Sequence, residues 1–233
     1  MNRFLEFFRN WSKKKIIILC SVVGGLAVAA ALLVFVLPIW TITGMDVSHY
    51  ENDISWTAVA QNGGIQFVYI KATEGTTNQD PTFKANWDGA VKNGITPGAY
   101  HYFTDKSAAD TQAQNFINTV PKAAGMLPPA VDIEGTLVQN ANFKQELAVY
   151  IKAVTEHYGV NPVFYVPYSV YNAIYDEYSG YQFWIIDDRS QPLIKNWTFR
   201  QYPDPVNVAG VSEQVDLDEY HGTLWGYEQL KLR

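Results

Sequence analysis

The sequence predicts an α/β protein, a compact and irregular (β/α) barrel of about eight strands with fewer helices, preceded by one transmembrane helix. Three observations predict it. Residues 16–40 form a run without a charged side chain. After Thr41, short apolar strands alternate with helix-length amphipathic stretches over five units, the pattern of a parallel sheet covered by helices. Eight strand-like segments then fall within residues 42–222, well short of the roughly 250 residues typical of a (β/α)8 barrel. Fewer helices than strands follow from that shortage.

The apolar run comes first in the chain. A helix needs about 20 residues to cross a bilayer, and IIILCSVVGGLAVAAALLVFVLPIW exceeds that. Residues 1–15 form a basic tail with Arg3, Arg9, Lys13, Lys14 and Lys15 against Glu6. Basic residues flanking a span stay in the cytoplasm, so the N-terminus is expected inside and everything after Trp40 outside the cell membrane, in a single pass. Trp11 and Trp40 bracket the run as interfacial anchors do. A cleaved signal peptide is the rival reading, but its apolar core is usually only about 7 to 15 residues long. Cys20 reads as a small residue within the run.

The remaining chain is acidic, with 12 Lys and Arg against 22 Asp and Glu, which argues against nucleic acid as a partner. Aromatic residues make up 15% of the protein, a load that a disordered chain does not carry. One cysteine excludes a disulfide framework and a cysteine-based zinc site.

Strands are expected at 42–47, 65–72, 96–103, 128–134, 162–166, 182–187, 197–202 and 213–218. Helices are expected near 55–62, 81–93, 107–119, 141–158 and 168–176. Ser107 and Asn140 read as N-caps, and Asn93-Gly94 and Gly159 as helix stops. The barrel should occupy 41–222 and leave 223–233 as a short tail.

Parallel barrels gather function at the C-terminal ends of their strands. Polar residues recur there: Asp46, Lys71 and Glu74, His101 and Tyr102, Asp132 and Glu134, Tyr165, Asp187 and Asp188, Gln201, Asp216. A lone aspartate after a strand is as often a cap as a site. Several acids on one rim repel one another, and capping does not explain them. The sharpest signal is Pro-Pro-Ala-Val-Asp-Ile-Glu at 128–134. Strand alternation puts Val131 and Ile133 on one face and Asp132 and Glu134 on the other, with Cα atoms about 7 Å apart. A like-charge pair raises a pKa, which leaves one protonated acid beside one ionised group. Glycoside hydrolysis uses that pairing. Taken alone, D-x-E is common, and a solvated strand end explains it better.

The four histidines show no metal spacing, and G-x-S-x-G, P-loop and dinucleotide patterns are absent from the sequence. His101 reads as a hydrogen-bonded rim residue, His49 as a brace for the first loop, and Lys71 and Glu74 as partners of each other. Trp184, Tyr102 and Tyr165 are candidates for stacking on sugar faces, although strand aromatics are more often core.

From Thr43 to about Tyr220 the chain resembles glycoside hydrolase family 25, the lysozymes that cut bacterial peptidoglycan. The matching pieces run in order: G-M-D-V-S-H-Y at 44–50, F-V-Y-I-K-A-T-E-G at 67–75, G-A-Y-H-Y-F at 98–103, P-A-V-D-I-E at 129–134, F-W-I at 183–185, W-T-F-R-Q-Y at 197–202 and V-D-L-D at 215–218. The resemblance implies a flattened, irregular barrel, Glu134 as general acid and Asp132 as the second catalytic carboxylate. It also implies Asp46 and Asp216 as acids flanking the cleft. Tyr102, Tyr165 and Gln201 join them as expected substrate contacts. The expected substrate is the glycan strand of bacterial peptidoglycan, cut at the β-1,4 bond between N-acetylmuramic acid and N-acetylglucosamine, with no metal and no other cofactor. A non-catalytic peptidoglycan-binding module, or a structural module of a wall-spanning assembly, is the competing expectation. The chain departs from the family pattern at Ile186-Asp187-Asp188-Arg189 and at Arg200, both expected near the cleft rim.

Overall fold

The computed structural model describes residues 21–26, 42–62, 64–135, 137–186, 194 and 196–233. Of the apolar run only 21–26 is described, as a helical stretch; the rest of the expected membrane span lies outside the described residues, as do Asp187, Asp188 and Arg189. Among the described residues no helix is long and apolar enough to cross a membrane.

Eight strands close a barrel: β1 (Ile42–Val47), β2 (Ile65–Glu74), β4 (Thr96–Tyr102), β5 (Ala130–Asp132), β6 (Val163–Val166), β7 (Phe183–Ile186), β8 (Phe199–Gln201) and β10 (Gln214–Tyr220). Two-residue strands β3 (Asn78–Gln79) and β9 (Val206–Asn207) pair with β2 and β10 at the margins. Helices α1 (Trp56–Gln61), α2 (Phe83–Lys92), α3 (Ala109–Thr119), α4 (Phe143–Tyr158) and α5 (Tyr168–Tyr178) follow β1 to β6. Pairing is parallel from β1 through β2 to β8, but β10 runs antiparallel to both β1 and β8. The all-parallel expectation therefore fails at the last strand. A parallel strand needs a crossover of a dozen or more residues, usually a helix. The connection from β8 to β10 instead turns back through β9.

Strand alternation separates two cores. Outward-facing Met45, Val68, Ile70, Val131, Phe164, Phe183 and Ile185 pack against the helices. Inward-facing Ile42, Phe67, Tyr69, Ala130, Val163, Trp184, Phe199 and Tyr220 fill the barrel. The interior is crowded enough to require glycine at two positions. A Cβ on Gly44 would lie 2.3 Å from the Phe67 ring, and one on Gly98 would lie 2.5 Å from Tyr69.

Several local expectations change. The fourth strand is three residues long, because the chain around Pro128-Pro129 supplies no N–H for a ladder. Ser107 does not cap α3; the Ala109 N–H donates to the Glu146 carboxylate at 3.0 Å, so α4 supplies the cap. Asn140 accepts from the Asn142 N–H at 2.9 Å; it stands two residues before Asn142, which is the N-cap of α4. Asn93 and Gly159 stand at the C-caps of α2 and α4, with Gly159 at φ 77°, where glycine is favoured. His101 is not on the rim. It points outward between sheet and helices, fully buried, stacked on Tyr150. Residues 223–233, expected as a tail, contain α6 (Leu224–Leu230), whose Tyr227 plugs the lower end of the barrel against Phe67 and Tyr220.

Candidate active site

The end of the barrel opposite Tyr227 stays open, and the same alternation that fills the interior carries polar side chains to this rim. β1 contributes Asp46, β4 Tyr100, β5 Asp132 with Glu134 two residues on, β6 Tyr165, β7 Trp184, β8 Gln201 and β10 Asp216. With Ser48, Tyr50 and Glu51 from the loop after β1, they line a cleft of about 210 Å³. Because β10 is antiparallel, its beginning reaches the rim. Asp216 is thus the opposite partner of Asp46, and Asp218 lies one layer deeper on the same face.

Hydrogen bonds fix this wall. The Tyr165 hydroxyl donates to Gln201 Oε1 at 2.8 Å, and Gln201 Nε2 donates to Asp46 Oδ2 at 2.9 Å. Trp184, flat against Tyr69, donates its indole N–H to Asp218 Oδ1 at 2.7 Å. Glu51 is held by the Ser48 N–H at 2.6 Å and the Ser48 hydroxyl at 3.1 Å, a capping box that rigidifies the loop. Lys71 pairs with Glu74 at 2.8 Å, as expected, and its Nζ sits 5.1 Å from the Tyr102 ring centroid.

The acids are electrostatically stacked. Burial, then the charge of Asp216, pushes Asp46 up despite the bond from Gln201. Asp218 is pushed well above the carboxylate range by burial and then by the charge of Asp46, against the bond from Trp184, and its Oδ2 is buried without a hydrogen-bond partner among the described residues. Asp216 is raised by burial. Asp132, 5% exposed, is driven well above its ordinary value by burial, then by Glu134 and Asp46, with Lys71 pulling the other way. Burial also raises the more accessible Glu134, again opposed by Lys71. The stronger push falls on Asp132, whereas the sequence placed the held proton on Glu134. Depth decides it: desolvation acts more fully on the residue within the strand than on the one past its end. Asp132 Oδ1 is buried without a hydrogen-bond partner among the described residues. A buried orphan acceptor costs about 1–3 kcal/mol and marks a place where a ligand donor fits.

The structure brings six expected residues to one cleft: Asp46, Asp132, Glu134, Tyr165, Gln201 and Asp216. Tyr102 stands beside the acids, and burial, then the charges of Glu134 and Asp132, raise its pKa, but it does not line the cleft. Its neighbour on the same strand face, Tyr100, does, and the register of β4 was the signal for it. Asp218 likewise follows from Asp216 by a step of two. Ser48, Tyr50 and Glu51 come from an irregular loop, where periodicity gives no direction. Arg200 is not a rim residue: it lies outside the barrel, paired with Glu219 at 2.7 Å and stacked near Trp197 and Tyr202.

A cleft of paired, protonatable carboxylates at a barrel mouth can deliver a proton to a leaving oxygen and face a developing positive charge. Comparison with known proteins agrees. The chain is 34% identical over 193 residues to YegX of Escherichia coli O157:H7, covering 79% of this chain and 71% of that one. It is 31% identical over 203 residues to Lysozyme M1 of Streptomyces globisporus, with 78% and 68% covered. Its structure resembles that of a family 25 glycosyl hydrolase from Bacillus anthracis, with a TM-score of 0.74, 32% identity and 83% and 94% of the two chains covered. The sequence pattern of the glycosyl hydrolases family 25 matches residues 45–211, and the chain belongs to this family of glycoside hydrolases.

Proposed function

We propose that the protein is a membrane-anchored muramidase that hydrolyses the β-1,4 bond between N-acetylmuramic acid and N-acetylglucosamine in peptidoglycan. The observation that carries this reading is the Asp132–Glu134 pair at the mouth of the barrel, with the unpartnered Asp132 oxygen beside it. Relatives named lysozyme, from Streptomyces globisporus and Clostridium acetobutylicum, support the substrate. The anchor rests on the uncharged run at 16–40 and the basic residues before it.

In the proposed reaction Glu134, the more accessible of the pair, protonates the leaving glycosidic oxygen. Asp132 accepts an N–H from the substrate's 2-acetamido group at its orphan oxygen. That bond favours ionised Asp132, and its charge then favours a protonated Glu134, so substrate binding itself moves the proton to the group that must deliver it. The oriented acetamido oxygen can attack the anomeric carbon, the substrate-assisted variant of glycoside hydrolysis; direct stabilisation of the cation by Asp132 uses the same residues. Tyr165, Gln201 and Asp46 position the opposite wall.

Replacing Glu134→Gln tests the assignment. The amide keeps the shape but has no proton to give, so turnover on purified peptidoglycan should fall about 10²- to 10⁴-fold with sedimentation onto peptidoglycan retained. Turnover within threefold of wild type removes Glu134 from the role. A wild-type protein that binds as well but releases nothing establishes the non-catalytic module instead.

A further inference from the structure

The lower end of the barrel carries features that the cleft chemistry leaves unexplained. β1 begins there, at Ile42, beside Leu224 and Tyr227 of α6. In the sequence only Thr41 separates Ile42 from Trp40, the last residue of the apolar run. At 3.8 Å per Cα step, Trp40 lies within about 8 Å of that end. An apolar run that enters a bilayer therefore brings the lower face of the barrel onto the bilayer surface, without a linker that would let the domain turn.

Two exposed apolar side chains lie toward this end. With Tyr227 directed into the barrel, Trp225 on the opposite side of α6 is 57% exposed. Val91 in the last turn of α2, the segment that leads into β4 at the same end, is 53% exposed. An exposed indole is costly in water and favoured at the membrane interface. Lys92, Lys122, Lys231 and Arg233 stand at this end together with Glu156 in the last turn of α4 and Glu228, which pairs with Lys231, so the charge here is mixed; Lys122 bonds the His157 carbonyl. The acids of the cleft are gathered at the other. An anionic surface repels the acidic rim more than this end of mixed charge.

We propose that the lower face, through Trp225 and Val91, rests on an anionic phospholipid surface, which repels the acidic rim, and holds the catalytic cleft pointing away from the bilayer. The inference depends on the membrane-anchored reading above. A short tether and a seated face fix the height of the cleft, so the enzyme would act on glycan lying about one barrel length from the membrane.

The test uses the full chain with Cys20→Ser, reconstituted in vesicles of phosphatidylglycerol and phosphatidylcholine. A fluorescent label is attached in turn at Trp225→Cys, at Val91→Cys and, on the rim loop, at Lys106→Cys. Flotation is measured first; a chain that does not float with the vesicles defeats the anchor reading and this inference with it. For a chain that floats, labels at 225 and 91 should be blue-shifted and quenched by spin-labelled lipid, and the label at 106 should be neither. Floating chains whose labels at 225 and 91 stay as water-exposed as at 106 overturn the seated face while leaving the anchor intact. Quenching at 106 alone overturns the orientation. The two reporters lie on different helices, so misfolding of one variant does not decide the result.

Discussion

Asp46 and Asp216 face each other as directly opposed partners across the seam where β1 meets the antiparallel β10. Like charges in opposed positions destabilise a sheet. Here a third acid, Asp218, lies diagonally below, and burial and then the charge of Asp46 push its pKa well up. Such a stack does not serve folding, and it stands at the mouth of the cleft, where the proposed reaction gives it a reason to persist.

The acid stack should therefore oppose stability as pH rises. The folded pKa of Asp46 is raised, so the unfolded chain releases its proton first, and the cost grows from about pH 4 upward until the folded group also ionises. Asp46→Asn keeps an acceptor for Gln201 and gains a donor for Asp218. It should be more stable than wild type at pH 8 by at least about 1 kcal/mol, the worth of one pKa unit, with the gain vanishing near pH 4 in urea titrations. Both Asp46→Asn and Asp216→Asn should lose about tenfold or more in activity while folding normally. A variant that unfolds with unchanged activity per folded molecule would identify a cap.

Buried His101 works in the opposite sense. Burial lowers its pKa to about 4, against 6.5 for the free side chain. The Gln112 carbonyl oxygen near Nε2, at 3.2 Å, also accepts from the Thr104 N–H, so Nε2 donates and Nδ1 accepts from the Thr73 hydroxyl at 2.7 Å. The unfolded chain takes up a proton at higher pH than the folded one does. Stability is lost as pH falls from about 6.5 to 4, by roughly 3 kcal/mol over the window. The acid stack gains stability over the same window, so the His101 contribution is read as a difference: between pH 7 and pH 4.5 the stability from urea unfolding should change less favourably in wild type than in His101→Gln, by about 2 kcal/mol. Parallel pH curves for the two proteins would show that His101 is protonated within the fold.

Residues 223–233 should prove part of the barrel. Tyr227 is 4% exposed against Phe67 and Tyr220, and Leu232 exchanges backbone hydrogen bonds with Gly125 and Met126. Tyr227→Ala should cost about 3–5 kcal/mol, as loss of a buried aromatic does, and truncation after Tyr220 should abolish cooperative unfolding by heat. A truncated chain with an unchanged melting temperature would restore the tail reading.

Most of the frame was legible because short apolar, β-branched and aromatic runs such as Phe67-Val68-Tyr69-Ile70 and capped helices such as the one ending at Gly159 carry their own local signals. The direction of β10 was not, since a strand reads alike in both senses and only its partners reveal which end meets the rim. Seven-residue α6 was too short for periodicity, and it is fixed by Tyr227 entering a cavity that no local window contains. The cleft acids were found because strand ends are predictable. Tyr50, Ser48 and Glu51 were missed because their placement depends on a tight loop. His101 was misplaced because a polar residue in A-Y-H-Y-F gives no hint that Thr73 and Gln112 satisfy it in the interior.

Product analysis tests the central claim most directly. Wild-type protein is incubated with peptidoglycan of defined structure, and the released fragments are reduced with borohydride and weighed by mass spectrometry. The account predicts new reducing ends on N-acetylmuramic acid, with every peptide stem intact, and release by Glu134→Gln reduced about 10²- to 10⁴-fold. Reducing ends on N-acetylglucosamine, or fragments with cleaved stems and uncut glycan, would contradict it.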